Sequence, residues 1–329
     1  MAQPLLRLLK SRQGQGPIDV MAPPAVAPVW RAMAETASVI ETPFRHGALQ
    51  WRERRAFAAQ MRQTGYADAY VLPNSLKFAL IPWLAGIPRR VGYLGEMRYG
   101  LLNVVHHDSD AAPRPMISFY AALAAPPAAR APAILELPRP CLVVDNVTRA
   151  GALERFQISP ASPIIVFAPG AEFGAAKRWP ARHFAALAAT VLRNHPAATV
   201  LLLGSPKDRS ACDDITVIAN AGPAIRNLAG ATSLGDAIAL ISAAAAVVSN
   251  DSGLLHVASG LNRPVVALYG PTDPLHAPPF SEIAASLYLH LDCAPCRQRE
   301  CPLGHHACME NLTCETVWVP LREMLGSTH

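Results

Sequence analysis

The stretches APGAEFGAAKRWP, residues 168–180, and SNDSGLLHVASGLNRPVVALYGPTDP, residues 249–274, decide the fold of this chain. Each follows an apolar run typical of a buried strand, PIIVF or AAAAVVS, and each leads into a segment with helical character. A glycine-containing turn from a strand into a helix points backbone N–H groups and the positive end of the helix dipole at one place. The two stretches therefore predict a nucleotide-phosphate site in an α/β domain.

Strand-like and helix-like segments alternate through the rest of the chain. Strand-like runs recur at ATVLLLG, AIRNLAG and PVVALYG in the second half, and at IDVMAP, ASVIETP, YADAYVLP and RRVGY in the first. Helical patterns separate them, including a basic one near Leu49–Thr64 and one that follows Ser75. This alternation predicts parallel sheets with right-handed crossovers. We expect an α/β fold with two Rossmann-like domains facing across a cleft.

The residues from 121 to 163 are rich in Ala and Pro, which predicts a linker with irregular turns. We place the domain boundary near Ser159, so that the domains span residues 1–158 and 159–329. The phosphate stretches both lie in the second domain, which leaves the first to bind the other substrate.

Composition restricts the class of protein. The chain has 329 residues, of which 51% are hydrophobic, but no run of 18 or more residues is continuously apolar. The Leu-rich start is interrupted by Arg7 and Lys10 and no small-residue cleavage site follows, so we expect a cytoplasmic protein. The net charge of +5 is modest and the Arg residues cluster at 52–62 and 89–98, which favours a local anionic partner over nucleic acid.

Lys177 is the first candidate for phosphate binding. It follows Gly174 by three residues, so its ammonium can reach a β-phosphate as a compact point charge; the alternative is a solvated loop lysine. Ser252 and Gly253 can bind phosphate oxygens through their N–H groups. Asp251 has the wrong charge for that contact, so its carboxylate would cap the following helix or hold the loop.

Further donor-site candidates carry competing structural explanations. Gly170 lies in the first phosphate stretch, and His256 lies one helical turn after the second, where a buried core histidine is the alternative. Asp208 follows a strand, where a carboxylate can accept from ribose hydroxyls, and Thr232 could flank the adenosine; simple helix capping explains both equally well.

These motifs, together with VLPNSLKFALIPWLAGIPRRVGYLGEMRYGLLN at 71–103, resemble the ADP-heptose:lipopolysaccharide heptosyltransferases of glycosyltransferase family 9, most nearly the members that add the second heptose. The resemblance implies a GT-B fold and inverting transfer of L-glycero-D-manno-heptose from ADP-heptose onto the first heptose of the inner core, without a cofactor. It assigns leaving-group stabilisation to Lys177. It also implies that the family's first strand, and a Gly-Asp loop whose Asp is the base, would precede Met1, so we expect activity to depend on that segment.

The acceptor implied by the resemblance is heptosyl-Kdo2-lipid A, which carries carboxylates and phosphates. Basic side chains near strand ends of the first domain suit such a ligand: Lys77, Arg89, Arg90 and Arg98, for which the sequence shows no obvious acidic partner. Simple solubility is the alternative. The acceptor also implies contact with the inner face of the inner membrane.

Five of the seven cysteines lie within residues 293–314. Cys293, Cys296, Cys301 and Cys308, with two histidines between them, fit a tetrahedral zinc site by residue type, but their spacing matches no familiar zinc finger. Free thiols in a reducing compartment and disulfides are the alternatives.

Three other functions compete. A heptosyltransferase with a different acceptor would keep the same donor site. A nucleotide-sugar epimerase or dehydrogenase is disfavoured because no G-x-G-x-x-G motif opens either half. A non-catalytic ADP-sugar-binding relative would need no base.

Overall fold

The computed structural model describes residues 1–12, 16–45, 47–108, 114–127 and 136–326. Contacts divide the chain into two compact units. The first contains Met1–Ala27 and Glu35–Pro138, and the second contains Pro28–Ala34 and everything from Arg139 onward.

The first unit is built from short elements. Its strands form two sheets, both parallel: one joins the first two strands, and the other joins the third, fourth and fifth in that order. The elements are α1 (Gln3–Lys10), β1 (Ile18–Ala22), α2 (Ala27–Arg31, at the border of the units), β2 (Thr36–Glu41), α3 (Trp51–Thr64), β3 (Asp68–Val71), α4 (Leu76–Leu84), β4 (Arg89–Tyr93), β5 (Val104–His106) and α5 (Met116–Ala121).

The second unit contains a six-stranded parallel sheet. Its elements are α6 (Asn146–Arg155), β6 (Ile164–Ala168), α7 (Ala181–Asn194), β7 (Thr199–Leu202), α8 (Arg209–Ala219), β8 (Ile225–Asn227), α9 (Leu234–Ser242), β9 (Ala246–Asn250), α10 (Gly253–Gly260), β10 (Val265–Tyr269), β11 (Ala284–Tyr288), α11 (Ala307–Glu310) and α12 (Cys314–Gly326). The strand order is β11-β10-β9-β6-β7-β8. The central strands β6, β9 and β10 are buried at every position, as expected where helices cover both faces of a sheet. The predicted α/β class with parallel sheets is confirmed.

Helix α6 lies inside the stretch predicted as an irregular linker. It begins after Asp145, whose carboxylate accepts a hydrogen bond from the Thr148 N–H at 2.8 Å and so caps the first turn. Arg155 at its other end pairs with Asp236, at the start of α9. Because α6 packs on the second unit, the chain joins that unit at Arg139 and not near Ser159. Residues 128–135 of the same stretch lie outside the described residues.

The core of the second unit supports the loops at the carboxyl ends of its strands. Trp179 is 2% exposed, and its indole N–H donates to the Leu312 carbonyl at 2.6 Å. Phe184, Leu187 and Val191 recur at helical spacing along α7 and are all buried. The loop before α7 is therefore anchored at its far end. Within the described ranges, none of the helices is both long and apolar enough to span a bilayer.

Candidate active site

The strand order creates a topological switch point between β6 and β9, since the chain runs outward from β6 through β7 and β8 and then returns to β9 on the other side of β6. Ligands of parallel sheets bind beyond the carboxyl ends of the strands at such a point. The loop over residues 169–180 and the turn over residues 251–253 both leave the sheet there. The two stretches that predicted a phosphate site thus come together.

Lys177 and Asp251 form a close ion pair between these two segments. The Lys177 ammonium lies 2.5 Å from Oδ2 of Asp251, and the two side chains are 12% and 10% exposed. The Thr272 hydroxyl donates to the same oxygen at 2.8 Å. The ammonium also lies 4.8 Å from the ring centre of Phe173, within the range of a cation–π contact. Asp251 therefore holds the Lys177 side chain in place.

The N-terminus of α10 adjoins this ion pair. Within the part of the chain that the structure describes, the Ser252 hydroxyl contacts the Ser249 hydroxyl at 3.1 Å and makes no capping bond to the helix. A Cβ placed on Gly253 would meet no atom within 4 Å, so the space before the helix is open. The first N–H groups of α10 are therefore available to an anion.

His256 lies in the first turn of α10 and is partly buried. Loss of hydration on burial lowers the pKa of its imidazole to about 4. The ring is therefore neutral at pH 7 and offers a hydrogen-bond donor without a charge. Its role toward phosphate stays a prediction.

Two positioning residues were missed by the sequence reasoning. Asn250 is fully buried; its side-chain amide donates to the Pro169 carbonyl at 2.7 Å and accepts from the Trp179 N–H at 3.3 Å. It thus ties the turn after β9 to both ends of the Lys177 loop. Thr272, which bonds Asp251, follows β10. The position of Asn250, a polar residue at the end of an apolar strand, could have indicated its role, whereas no sequence pattern indicates the role of Thr272.

Asp208 and Gly170 contact each other. Oδ2 of Asp208 accepts from the Ser205 N–H at 2.9 Å and from the Ser205 hydroxyl at 2.7 Å, which completes a capping box. A Cβ on Gly170 would lie 2.6 Å from that same Asp208 oxygen, so Gly170 is needed for close packing. The Thr232 hydroxyl donates to the Leu228 carbonyl at 3.4 Å. These contacts favour structural roles, and the ribose and adenosine assignments stay predictions.

Arg98 does not fit the predicted acceptor-binding role. It has no exposed surface, and its guanidinium donates to backbone carbonyls, including that of Pro73 at 2.6 Å. Burial also lowers the pKa of this guanidinium. Arg98 therefore holds together the loops after β3 and β4, where an acceptor cannot reach it.

The other three basic candidates differ in how they are engaged. Arg89 has the acidic partner that the sequence did not reveal, because it contacts Asp68 at 3.1 Å on the neighbouring strand. Arg90 donates to the Leu101 carbonyl at 2.7 Å and to the Ile87 carbonyl at 2.5 Å. The Lys77 ammonium lies 5.8 Å from the Phe78 ring centre and is the most available of the three to a ligand.

The cysteine-rich segment, residues 293–308, encloses a cavity of about 20 Å³. The seven cysteines, all within the described ranges, form no disulfide, and the described residues contain no group of three or more His, Cys, Asp or Glu side chains arranged to hold a metal ion. The predicted zinc site thus gains no support from the geometry. Backbone N–H groups, that of His306 foremost, lower the pKa of Cys301, whereas burial raises the pKa of Cys308. The cavity walls include Cys293, Cys296, Cys301, Cys308, His305 and His306.

Several known proteins are similar to this chain over nearly its whole length. The lipopolysaccharide heptosyltransferase 2 of Escherichia coli K12 is 42% identical over 332 residues, covering 99% of this chain and 94% of the relative. The lipooligosaccharide heptosyltransferase 2 of Haemophilus influenzae is 38% identical over 338 residues, covering 99% and 95%. The solved structure of E. coli ADP-heptose LPS heptosyltransferase II matches with a TM-score of 0.86 and 39% identity, over 99% of this chain and 94% of that one.

The sequence model of glycosyltransferase family 9 (heptosyltransferase) matches residues 54–307, a range that spans the Lys177 loop and the turn into α10. The match therefore includes the residues that form the switch-point site, as well as most of the described chain. This chain belongs to glycosyltransferase family 9, the heptosyltransferases.

Proposed function

We propose that this protein transfers L-glycero-D-manno-heptose from ADP-heptose to the first heptose of the lipopolysaccharide inner core, with inversion at the anomeric carbon. The names of its relatives, lipopolysaccharide heptosyltransferase 2 and ADP-heptose LPS heptosyltransferase II, support both substrates. The observation that carries the proposal is the buried Lys177–Asp251 pair beside the open N-terminus of α10. A cation held in place next to free helix N–H groups is suited to a diphosphate.

The chemistry follows from charge. When the sugar–phosphate bond breaks, ADP gains negative charge on its β-phosphate, and that charge must be stabilised as it develops. The Lys177 ammonium can shift from Asp251 to the phosphate, while the N–H groups of Ser252 and Gly253 supply further donors. The acceptor oxygen bonds to the anomeric carbon as the bond from that carbon to the β-phosphate oxygen breaks and ADP leaves. The hydroxyl proton passes to a general base, a role that the family resemblance gives to the Asp of the Gly-Asp loop. One in-line displacement inverts that carbon, and Lys177 with the helix N-terminus meets the charge without requiring a bound cation.

A transfer assay with two acceptors tests the proposal. In protein that carries the Gly-Asp segment implied by the family resemblance, we expect ADP release and product formation with heptosyl-Kdo2-lipid A and none with Kdo2-lipid A, because the incoming sugar attaches to the first heptose. Arg322→Gln, an exposed change on α12, is the control and should match the wild type. Transfer to Kdo2-lipid A would instead assign the protein to another acceptor, and ADP binding without any transfer would favour a non-catalytic ADP-sugar-binding protein.

A surface of the first unit supports the proposed membrane partner. Exposed large apolar side chains cluster near the N-termini of α3 and α4, with Met97 at 81% and Tyr99 at 67% exposure. Buried Arg54 joins these elements, since it donates to the Leu49 carbonyl at 2.6 Å and to the Lys77 carbonyl at 3.0 Å. We call this set the apolar patch; it comprises Leu49, Trp51, Leu76, Met97 and Tyr99.

Charge and backbone conformation distinguish the apolar patch from scattered surface residues. Glu96, whose carboxylate accepts from the Leu76 N–H at 2.7 Å, and Met97 both have positive φ, so the loop that exposes Met97 is held in a strained form. Arg45, Arg52 and Lys77 flank the patch along the sequence. Apolar side chains bordered by cations are typical of a surface that binds anionic lipid. We propose that the patch places the protein at the cytoplasmic face of the inner membrane.

Vesicle sedimentation tests the membrane contact. The variant Met97→Ser with Tyr99→Ser should bind phosphatidylglycerol vesicles more weakly than the wild type, whereas Val217→Ser, which removes a side chain 76% exposed on α8, should not. Equal binding by all three proteins, or equal binding to neutral vesicles, would contradict the proposal. Transfer to a water-soluble acceptor should be unaffected in each case.

A further inference from the structure

Backbone hydrogen bonds connect the cysteine-rich segment to two loops at the switch point, the Lys177 loop and the loop that contains Thr272. The Ala176 N–H, in the Lys177 loop, donates to the Arg299 carbonyl at 3.0 Å. The Arg297 N–H donates to the Pro271 carbonyl, beside Thr272, at 2.7 Å. The segment is thus part of the structure that surrounds the switch point.

Gly174 sets how closely the segment approaches. A Cβ on Gly174 would lie 2.3 Å from the Arg299 carbonyl oxygen and 2.8 Å from its carbonyl carbon, closer than real Cβ atoms come. Only glycine permits this contact. The backbone of Arg299 is therefore fixed relative to Lys177, three residues beyond Gly174.

The side chain of Arg299 shares an aromatic ring with Lys177. Its guanidinium carbon lies 5.3 Å from the Phe173 ring centre, and the Lys177 ammonium lies 4.8 Å from the same centre. Both cations therefore lie against the same aromatic ring, although their like charges repel each other. Such an arrangement is typical of a site that receives an anion.

The nearby carboxylates do not balance this charge. Asp251 is engaged by Lys177, and Glu172 pairs with Lys207 at 2.6 Å. Among the described residues, no carboxylate lies within 4 Å of the Arg299 side chain, which is itself exposed. Arg178, the other cation of the Lys177 loop, faces Asp208 at 3.8 Å. The Arg299 guanidinium is therefore a positive charge beside this loop with no carboxylate partner among the described residues.

We propose that Arg299 is a second cation for the diphosphate of the donor. A planar guanidinium can donate two parallel hydrogen bonds to one phosphate, which the Lys177 ammonium cannot do. This inference rests on the proposed donor site. It gives the cysteine-rich segment a function: the segment holds Arg299 against the loop that bears Lys177.

Calorimetry with ADP and AMP tests the inference on the full chain. Arg299→Gln should weaken ADP binding about tenfold, the usual effect of losing one charge-assisted contact, and AMP binding less than about twofold. Arg299→Lys, which keeps the charge but cannot make both hydrogen bonds, should recover part of the ADP affinity. Arg322→Gln is the matched control and should bind both nucleotides like the wild type.

The outcomes separate this inference from the proposed function. If the wild type does not bind ADP, the proposed donor site is wrong. If the wild type binds ADP and Arg299→Gln binds it equally well, Arg299 is not a phosphate ligand. Equal losses for ADP and AMP, or an Arg299→Lys variant as weak as Arg299→Gln, would mean that the side chain only shapes the loop, which would also overturn the inference.

Discussion

Replacing Lys177 with Met removes the ammonium and keeps an unbranched apolar stem beside Phe173. Asp251, which is 10% exposed in the intact pair, would keep the Thr272 hydroxyl as a donor. Removing one partner of a buried ion pair costs about 3–5 kcal/mol. Since Asp251 keeps some contact with water and one donor, we expect Lys177→Met to lower the free energy of unfolding by about 2–3 kcal/mol.

A second substitution separates the charge effect from the packing effect. Lys177→Met combined with Asp251→Asn leaves no unpaired charge, so the double variant should regain about 1–2 kcal/mol relative to Lys177→Met. Urea unfolding of the wild type, both single variants and the double variant measures this coupling. A double variant no more stable than Lys177→Met would contradict the assignment of a strong electrostatic pair.

The same variants test phosphate binding. Loss of a charge-assisted contact of about 1.5–3 kcal/mol should weaken ADP binding by Lys177→Met about 10- to 150-fold in calorimetry. Asp251→Asn keeps the ammonium and removes a negative charge beside the phosphate, so it should bind ADP at least as tightly as the wild type. Unchanged ADP affinity in Lys177→Met, with weaker binding in Asp251→Asn, would refute the reasoning.

Burial lowers the pKa of His256 to about 4, so between pH 6.5 and pH 4 the imidazole is protonated in the unfolded chain but not in the folded one. Up to about 3 kcal/mol of stability should therefore be lost as the pH falls from 6.5 to 4. His256→Asn should remove this loss, which would flatten that part of a plot of the urea unfolding midpoint against pH. Gly174→Ala would place a Cβ 2.3 Å from the Arg299 carbonyl and should lower stability by about 1–3 kcal/mol in thermal melts, whereas Gly253→Ala, whose Cβ meets no atom within 4 Å, should not. The transfer rate should be unchanged immediately after excess chelator is added, because Lys177 meets the phosphate charge; an immediate loss with unchanged circular dichroism would contradict this.

Sequence predicted the second unit better than the first. Its buried strands are short apolar runs rich in β-branched residues and bounded by Gly, Pro or Asn, and it is the short length and these flanking residues that favour a strand over a buried helix. The family and the parallel α/β class are accordingly confirmed. The boundary near Ser159 was misplaced because Ala and Pro dominated the composition there. The cap that starts α6, Asp145 followed by Thr148, was present in the sequence and should have outweighed that composition.

Arg98 shows what could not be predicted. Arginine is rarely fully buried, so exposure and ligand binding were the reasonable expectation. The carbonyls of Pro73 and Tyr93, to which Arg98 donates, come from the ends of β3 and β4, and only folding brings them together. The sequence contains no local pattern for such a buried guanidinium.

Asp208 and Asp251 show how the roles of two carboxylates that follow strands can be distinguished. Both follow an apolar strand and precede a helix; the sequence predicts a ribose contact or helix capping for Asp208, and helix capping or a loop-holding role for Asp251. The hydrogen bonds to Asp208 come from Ser205, three positions earlier, and its partner from another loop, the exposed Arg178 guanidinium, lies farther away, at 3.8 Å. Asp251 is bonded by Lys177, 74 positions away, and by Thr272 on a third loop. A carboxylate that accepts its hydrogen bonds from its own turn stabilises that turn. A carboxylate that accepts hydrogen bonds from other loops instead holds those loops next to one another. By this criterion Asp208 stabilises its own turn, and the loops that Asp251 joins are where the donor phosphates should be sought.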